Sequence, residues 1–183
     1  MDRENHCCEI DEKTTNHCLY FSSVCSFFSE NFKLNWSHFK SLQNSMKADT
    51  TVVSYSSCGL KYTAYKDKTY NRLLIKIDAT FDPSKSWKHP SKTKNLKINH
   101  EQGHFDIAEL YARKLRKEFK ENVKTEKDYQ FKFKLIYQML YGEFLDYQDY
   151  YDKITKRGTN AAKQNELEVE IKSQLKKLEA YKN

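Results

Sequence analysis

Glycine and proline are scarce in this chain, with four Gly and two Pro among 183 residues. So few turn formers argue against a multi-turn all-β fold and for long helices. No apolar run approaches the roughly 20 residues that a membrane-spanning helix needs, so no transmembrane segment is expected. No Cys-x-x-Cys pair occurs, and an odd count of five cysteines excludes complete intrachain pairing. Histidine is absent after His104. An RNA- or DNA-reading motif is also missing, and Arg is scarce beside Lys.

The chain does have aromatic bulk. Hydrophobic content is only 38%, but 13 Tyr, 11 Phe and two Trp supply large apolar bodies for one core. The length suits a single domain able to bury roughly 70% of its unfolded surface. The net charge of +7 is unevenly placed: residues 1–31 hold six acids and two bases, the remainder 19 acids and 30 bases. Those bases alternate with Glu and Asp on amphipathic segments, as a solvated surface requires, so no nucleic-acid partner is expected. A basic helical interaction module is the bland alternative; its binding would weaken steeply with salt.

Residues 1–31 read as a poorly ordered leader. Four cysteines (Cys7, Cys8, Cys18, Cys25) and the nearby His6 and His17 fall there. The apolar stretch from Cys18 to Phe28 follows acidic rather than basic residues and is interrupted by Ser and Cys, so it does not make a clear signal peptide.

Residues 32–183 read as one α+β domain, a small mainly antiparallel sheet followed by three long helices. Phe32–Trp36 is a short extended candidate. Thr51–Tyr65, with a turn signal at Ser57-Cys58-Gly59, and Tyr70–Phe81 supply the main strands. Pro83 and Pro90 bracket a loop containing Trp87 and His89. The first helix carries Leu96, His100, His104, Ile107, Tyr111, Leu115 and Phe119 on one stripe, with Lys94, Gln102, Glu109, Arg113 and Arg116 on an opposite, solvated face. A second helix spans about 126–153, with a core seam of Phe133, Tyr137, Leu140, Phe144, Tyr147 and Tyr151. The turn Lys156–Asn160 leads to a last helix, about 161–181, that buries Leu167, Ile171, Leu175 and Leu178.

The chemistry sits in His100-Glu101-Gln102-Gly103-His104. Residues i and i+4 share a helix face, so both imidazoles can reach one Zn2+ ion while Glu101 projects beside it as a general base. A pair of core histidines would show the same spacing. Gly103 costs the helix about 1 kcal/mol relative to Ala, and a closely packed neighbouring backbone would account for it.

The run from His100 through His104-Phe105-Asp106-Ile107 to Arg113 resembles the signature of a bacterial family of predicted secreted zinc-dependent proteases, otherwise described as a domain of unknown function. Leu34-Asn35-Trp36-Ser37-His38-Phe39, then Ala48 and Thr50, resemble its opening elements. The stretch Phe81 to Ser86-Trp87 and the segment Tyr151-Asp152-x-x-Thr155 with Gln164 resemble its later ones. The resemblance covers about residues 32–180. It implies a zincin-like metal helix and a peptide or protein substrate; members of that family are usually exported to the periplasm or beyond, but this chain has no clear signal peptide, so its localisation is left open. Where the family pattern has His two residues after the Thr, this chain has Arg157: a zinc ligand lost if that position ligates, a tolerated change if it lies further out.

A catalytic zinc takes three protein ligands and leaves one position for water. Asp152, in the retained Tyr-Asp-x-x-Thr segment, is the expected third. Asp149, Glu143, Asp146, His89 and His38 are the alternatives. Glu109 lies about 180° from His100 at 100° per residue and is excluded as a ligand; it or Asp106 could anchor neighbouring groups. Tyr151 and Arg157 are candidates to stabilise an oxyanion. The expected function is a zinc metallopeptidase using His100, His104, Asp152 and Glu101. The alternative is an inactive zinc-binding or metal-free relative that serves as a binding module.

Overall fold

Alternating apolar residues build a ten-residue antiparallel hairpin. In β4 (Cys58–Asp67) Leu60, Tyr62 and Ala64 turn inward while Lys61, Thr63 and Tyr65 are exposed; in β5 (Arg72–Phe81) Ile77, Ala79 and Phe81 are buried. Their register runs from Cys58 opposite Phe81 to Asp67 opposite Arg72. The computed structural model describes residues 26–27, 32–41, 52–67, 69, 72–93 and 98–183. The expected positions of Cys7, Cys8, Cys18, Cys25, Ala48, Thr50, Lys94 and Leu96 lie outside the described residues. β1 (Ser26–Phe27), within the stretch read as a leader, pairs antiparallel with β5 and completes a sheet of order β1-β5-β4. A second, smaller sheet has the order β2-β6-β3, from β2 (Lys40–Ser41), β3 (Ser54–Tyr55) and β6 (Trp87–Lys88). Only its β2–β6 pairing is parallel.

The fold is α+β, with three long helices after the strands: α1 (Asn99–Asn122), α3 (Lys134–Thr155) and α4 (Ala161–Lys177). α1 is the centre of the molecule, packed by β4 and β5, α3 and α4. Several expected details differ. Phe32–Asn35 is irregular and Trp36–His38 forms a 3-10 turn, because Asn35 caps it by accepting from the Ser37 N–H at 2.9 Å. Cys58 and Gly59 belong to β4 rather than to a turn, and Trp87–Lys88, expected in a loop, pair with both neighbouring strands. The second helix begins as α2 (Glu126–Asp128) and passes through a π-helical turn (Tyr129–Phe133) into α3, while the last gives way to a 3-10 turn at Glu179–Tyr181.

The largest departure concerns α1. Every residue from Ile107 to Arg113 is buried, including Glu109 (1% exposed) and Arg113 (2%), on the face read as solvated. The C-terminal segment covers that face. Glu109 accepts from Arg113 Nε at 2.9 Å and Arg116 Nη1 at 3.0 Å, and the two guanidiniums donate onward to the carbonyls of Leu175, Tyr181 and Ile77. Among the described residues no helix is long and apolar enough to cross a membrane.

The start of α2 is set by a capping box. Thr125 Oγ1 accepts from the Asp128 N–H at 3.0 Å, and Asp128 Oδ2 accepts from the Thr125 N–H at 3.2 Å. Hydrogen bonds from Lys132, then Thr125, hold the Asp128 carboxyl down to about 2. A carboxyl depressed in the folded state stabilises above its ordinary pKa and loses that contribution as pH falls toward 2. Thr125→Ala is expected to cost about 1 kcal/mol at neutral pH, a fall of roughly 2–4 °C in thermal midpoint. The deficit should narrow as pH falls below 4, since the wild-type cap is then failing too.

Candidate metal centre

α1 and α3 cross where His100 and His104 face Asp152. His100 Nε2 lies 2.9 Å from Asp152 Oδ1, His104 Nε2 lies 3.2 Å from the same oxygen, and the two Nε2 atoms are 3.2 Å apart. These three residues are the group among the described residues that could hold a metal ion. Tetrahedral coordination with bonds of about 2.0–2.1 Å places neighbouring ligand atoms about 3.3–3.4 Å apart. The observed triangle is within a few tenths of an ångström of that size.

The hydrogen-bond partners of the rings decide what the triangle needs. Gln148 Nε2 donates to the His104 carbonyl at 3.0 Å, so its Oε1 faces His104 Nδ1. Gln164 Nε2 donates to the Tyr151 hydroxyl oxygen and to Glu168 Oε1, so its Oε1 faces His100 Nδ1 at 3.2 Å. Both imidazoles therefore donate through Nδ1, and in the neutral rings both Nε2 lone pairs point at the Asp152 carboxylate. Three converging acceptors repel one another unless a cation or a proton sits among them. Burial pulls the His104 imidazole down, but Asp152, Glu101 and Gln148 outweigh it and hold it above its ordinary value. Asp152, half-buried, sits well below the usual carboxylate range because the two histidines outweigh the cost of burial. The centre favours added positive charge.

Packing fixes the rings in place. Tyr151 stacks on His100 with centroids 5.0 Å apart and an interplanar angle of 7°, and meets His104 edge-on at 5.0 Å. Gly103 exists for this ring: a Cβ at residue 103 would overlap the Tyr151 hydroxyl. The close neighbour anticipated there is thus a side chain, not a backbone. Tyr151 is fully buried, its hydroxyl oxygen accepts from Gln164, and it is not among the residues that line the cleft. Gly158 supports His100 from the other side, with φ +80° and a virtual Cβ only 2.9 Å from His100 Cβ.

Glu101 is 3% exposed and lines the same cleft as the triad. Ser54 Oγ, on β3, donates to its Oε1 at 2.6 Å. The cleft has a volume of about 1530 Å³. That exceeds the usual 300–1,000 Å³ of a small-molecule pocket.

The alternative ligands stand apart. Asp149 lines the cleft outside the triad. Glu143 and Asp146 lie by Tyr111, whose hydroxyl is pushed up to about 12, first by burial and then by these two charges. His89 bonds Ser91, and His38 belongs to the Asn35 cap. Asp106 accepts from Gln102, whose Oε1 receives the Leu34 N–H at 2.8 Å, so this pair anchors the segment before the 3-10 turn. Arg157 is exposed at the rim, and the triad is assembled without it. Gln148, Ser54 and Gly158 escaped sequence reasoning. Gln148 alone left a signal there, one helical turn before Asp152 on the same face. No family model, curated protein or solved structure matches the chain.

Proposed function

We propose that the protein is a zinc-dependent metallopeptidase in which His100, His104 and Asp152 hold the ion and Glu101 is the general base. The observation that carries this reading is the convergence of three acceptor atoms, tautomers fixed from behind by Gln148 and Gln164, beside a buried carboxylate. The resemblance of residues 100–113 to predicted zinc proteases supports it. When bound, zinc supplies a Lewis acid for a peptide carbonyl and lowers the pKa of water to about 7. Ser54 fixes Glu101 Oε1, which leaves Oε2 to take a proton from the attacking water. As the new C–O bond forms and the C–N bond breaks, Glu101 returns that proton to the departing amine nitrogen.

Metal analysis of the purified protein is the direct test, because two imidazoles and a carboxylate also suit other first-row ions. Wild type is expected to retain about one zinc per chain through dialysis, and His104→Ala and Asp152→Ala to lose most of it. Gln148→Leu should weaken zinc affinity about 10- to 100-fold, since the outer hydrogen bond sets the His104 tautomer. Metal-free wild type, or full retention in Asp152→Ala, would overturn the assignment. Zinc without peptide cleavage would leave the non-catalytic zinc-binding relative.

A further inference from the structure

α3 ends in a turn in which Lys156, Arg157 and Gly158 all adopt left-handed backbone, with φ of 49°, 52° and 80°. Side-chain-bearing residues hold that conformation only where the surroundings impose it. Here the turn is closed by the Arg157 N–H to the Asp152 carbonyl at 2.9 Å and the Asn160 N–H to the Thr155 carbonyl at 2.8 Å. Gly158 seats it against His100. The turn leaves the Lys156 and Arg157 side chains beside the triad.

Those side chains are cationic. Lys153, Lys156 and Arg157 are exposed and line the cleft next to Asp152. Among the described residues none of the three is paired with a carboxylate. Of the acids of the cleft, Glu101 is bonded to Ser54 and Asp152 faces the two imidazoles, which leaves Asp149, one helical turn before Lys153, against three cations. The cleft is also lined by Trp36, Tyr55 and Trp87, and Ser54, next to Tyr55 on β3, bonds Glu101. Tyr55 and Trp87 rings lie 6.5 Å apart there.

Resting on the peptidase reading, we propose that the C-terminal end of α3 and its turn, which carry Lys153, Lys156 and Arg157, seat a carboxylate of the substrate, so that the cleft selects acidic peptides. The aromatic lining of Trp36, Tyr55 and Trp87 takes an apolar side chain of the same peptide. A guanidinium matches a carboxylate through two parallel hydrogen bonds, and the flanking lysines add charge without geometry. The carboxylate is that of an Asp or Glu side chain or that of the peptide's own C-terminus. Both present the same fork of oxygens.

The test is peptide binding by fluorescence anisotropy to full-length Glu101→Gln protein, in which turnover is suppressed. Four labelled peptides share one apolar sequence. Three are C-terminally amidated and carry Glu, Gln or Lys at one position; the fourth carries Gln and a free C-terminal carboxylate. The Glu peptide, the free-carboxylate peptide or both should bind about tenfold tighter than the neutral one, and which of them does so identifies the source. Adding Arg157→Glu should abolish that preference and shift it toward the Lys peptide. Circular dichroism checks the fold, and Arg157→Gln, which should shrink the preference without inverting it, replaces a misfolded variant. Equal binding of neutral and acidic peptides, or a preference that survives both substitutions, overturns the proposal. Wild-type hydrolysis of the same peptides separates the two claims. Charge selection without cleavage leaves the carboxylate seat and removes the peptidase; cleavage without charge selection does the reverse.

Discussion

Glu101→Gln is expected to retain zinc and lose about 100- to 10,000-fold of kcat, equivalent to about 3–5 kcal/mol of transition-state stabilisation. The substitution is nearly isosteric, and the amide oxygen can still accept the Ser54 hydroxyl that now lies 2.6 Å from Glu101 Oε1. What it cannot do is take a proton from water at neutral pH. The metal triad is untouched, because its three donor atoms belong to His100, His104 and Asp152. KM should therefore change little, the pattern of an interaction made in the transition state alone. A variant with full zinc content and activity within tenfold of wild type would remove Glu101 from the chemistry. Zinc loss in the same variant would instead make the residue structural.

The helical spacing of His100 and His104 was legible because a local period of 3.6 residues needs nothing from the rest of the chain. Both ring positions, the hairpin strands and the inward face of α3 follow from such local patterns. Asp152 was reachable only through a resemblance, since nothing local says that α3 crosses α1 at that height. What surrounds these three residues was mostly invisible. Gln148 and Ser54 act across tertiary contacts from α3 and β3, and a lone amide or hydroxyl in a sequence is indistinguishable from a solvated one. Gly103 announced a close neighbour but not which one. The face of Glu109 and Arg113 was misread for a related reason: periodicity identifies residues that share a face, not what covers it. Charged residues are seldom fully buried unless paired. The i, i+4 spacing of Glu109, inside an otherwise apolar run from Ile107 to Ala112, and Arg113, directly after it, was the available sign of pairing.

That buried network carries the largest stability effect. Glu109 is the single carboxylate between two guanidiniums, and Arg113 also donates to Glu179 at 3.1 Å, at the edge of the cluster. Glu109→Ala leaves Arg113, 2% exposed, with the exposed Glu179 at the edge of the cluster as its remaining carboxylate. Removing one partner of a buried pair costs about 3–5 kcal/mol, here a fall of roughly 6–20 °C in thermal midpoint. Replacing the whole network by leucines should not restore stability, as such swaps sometimes do. The guanidiniums also satisfy the carbonyls of Leu175, Tyr181 and Ile77, which leucines would orphan. The loss should appear first as release of the segment after Leu175, seen as faster amide exchange at Glu179–Tyr181 before global unfolding. Zinc stoichiometry of the folded protein should hold, because Glu109 projects from α1 on the side opposite His100. A midpoint within 2 °C of wild type would mean that the tail is held by packing alone, and that the charges beneath it contribute as little as an exposed pair.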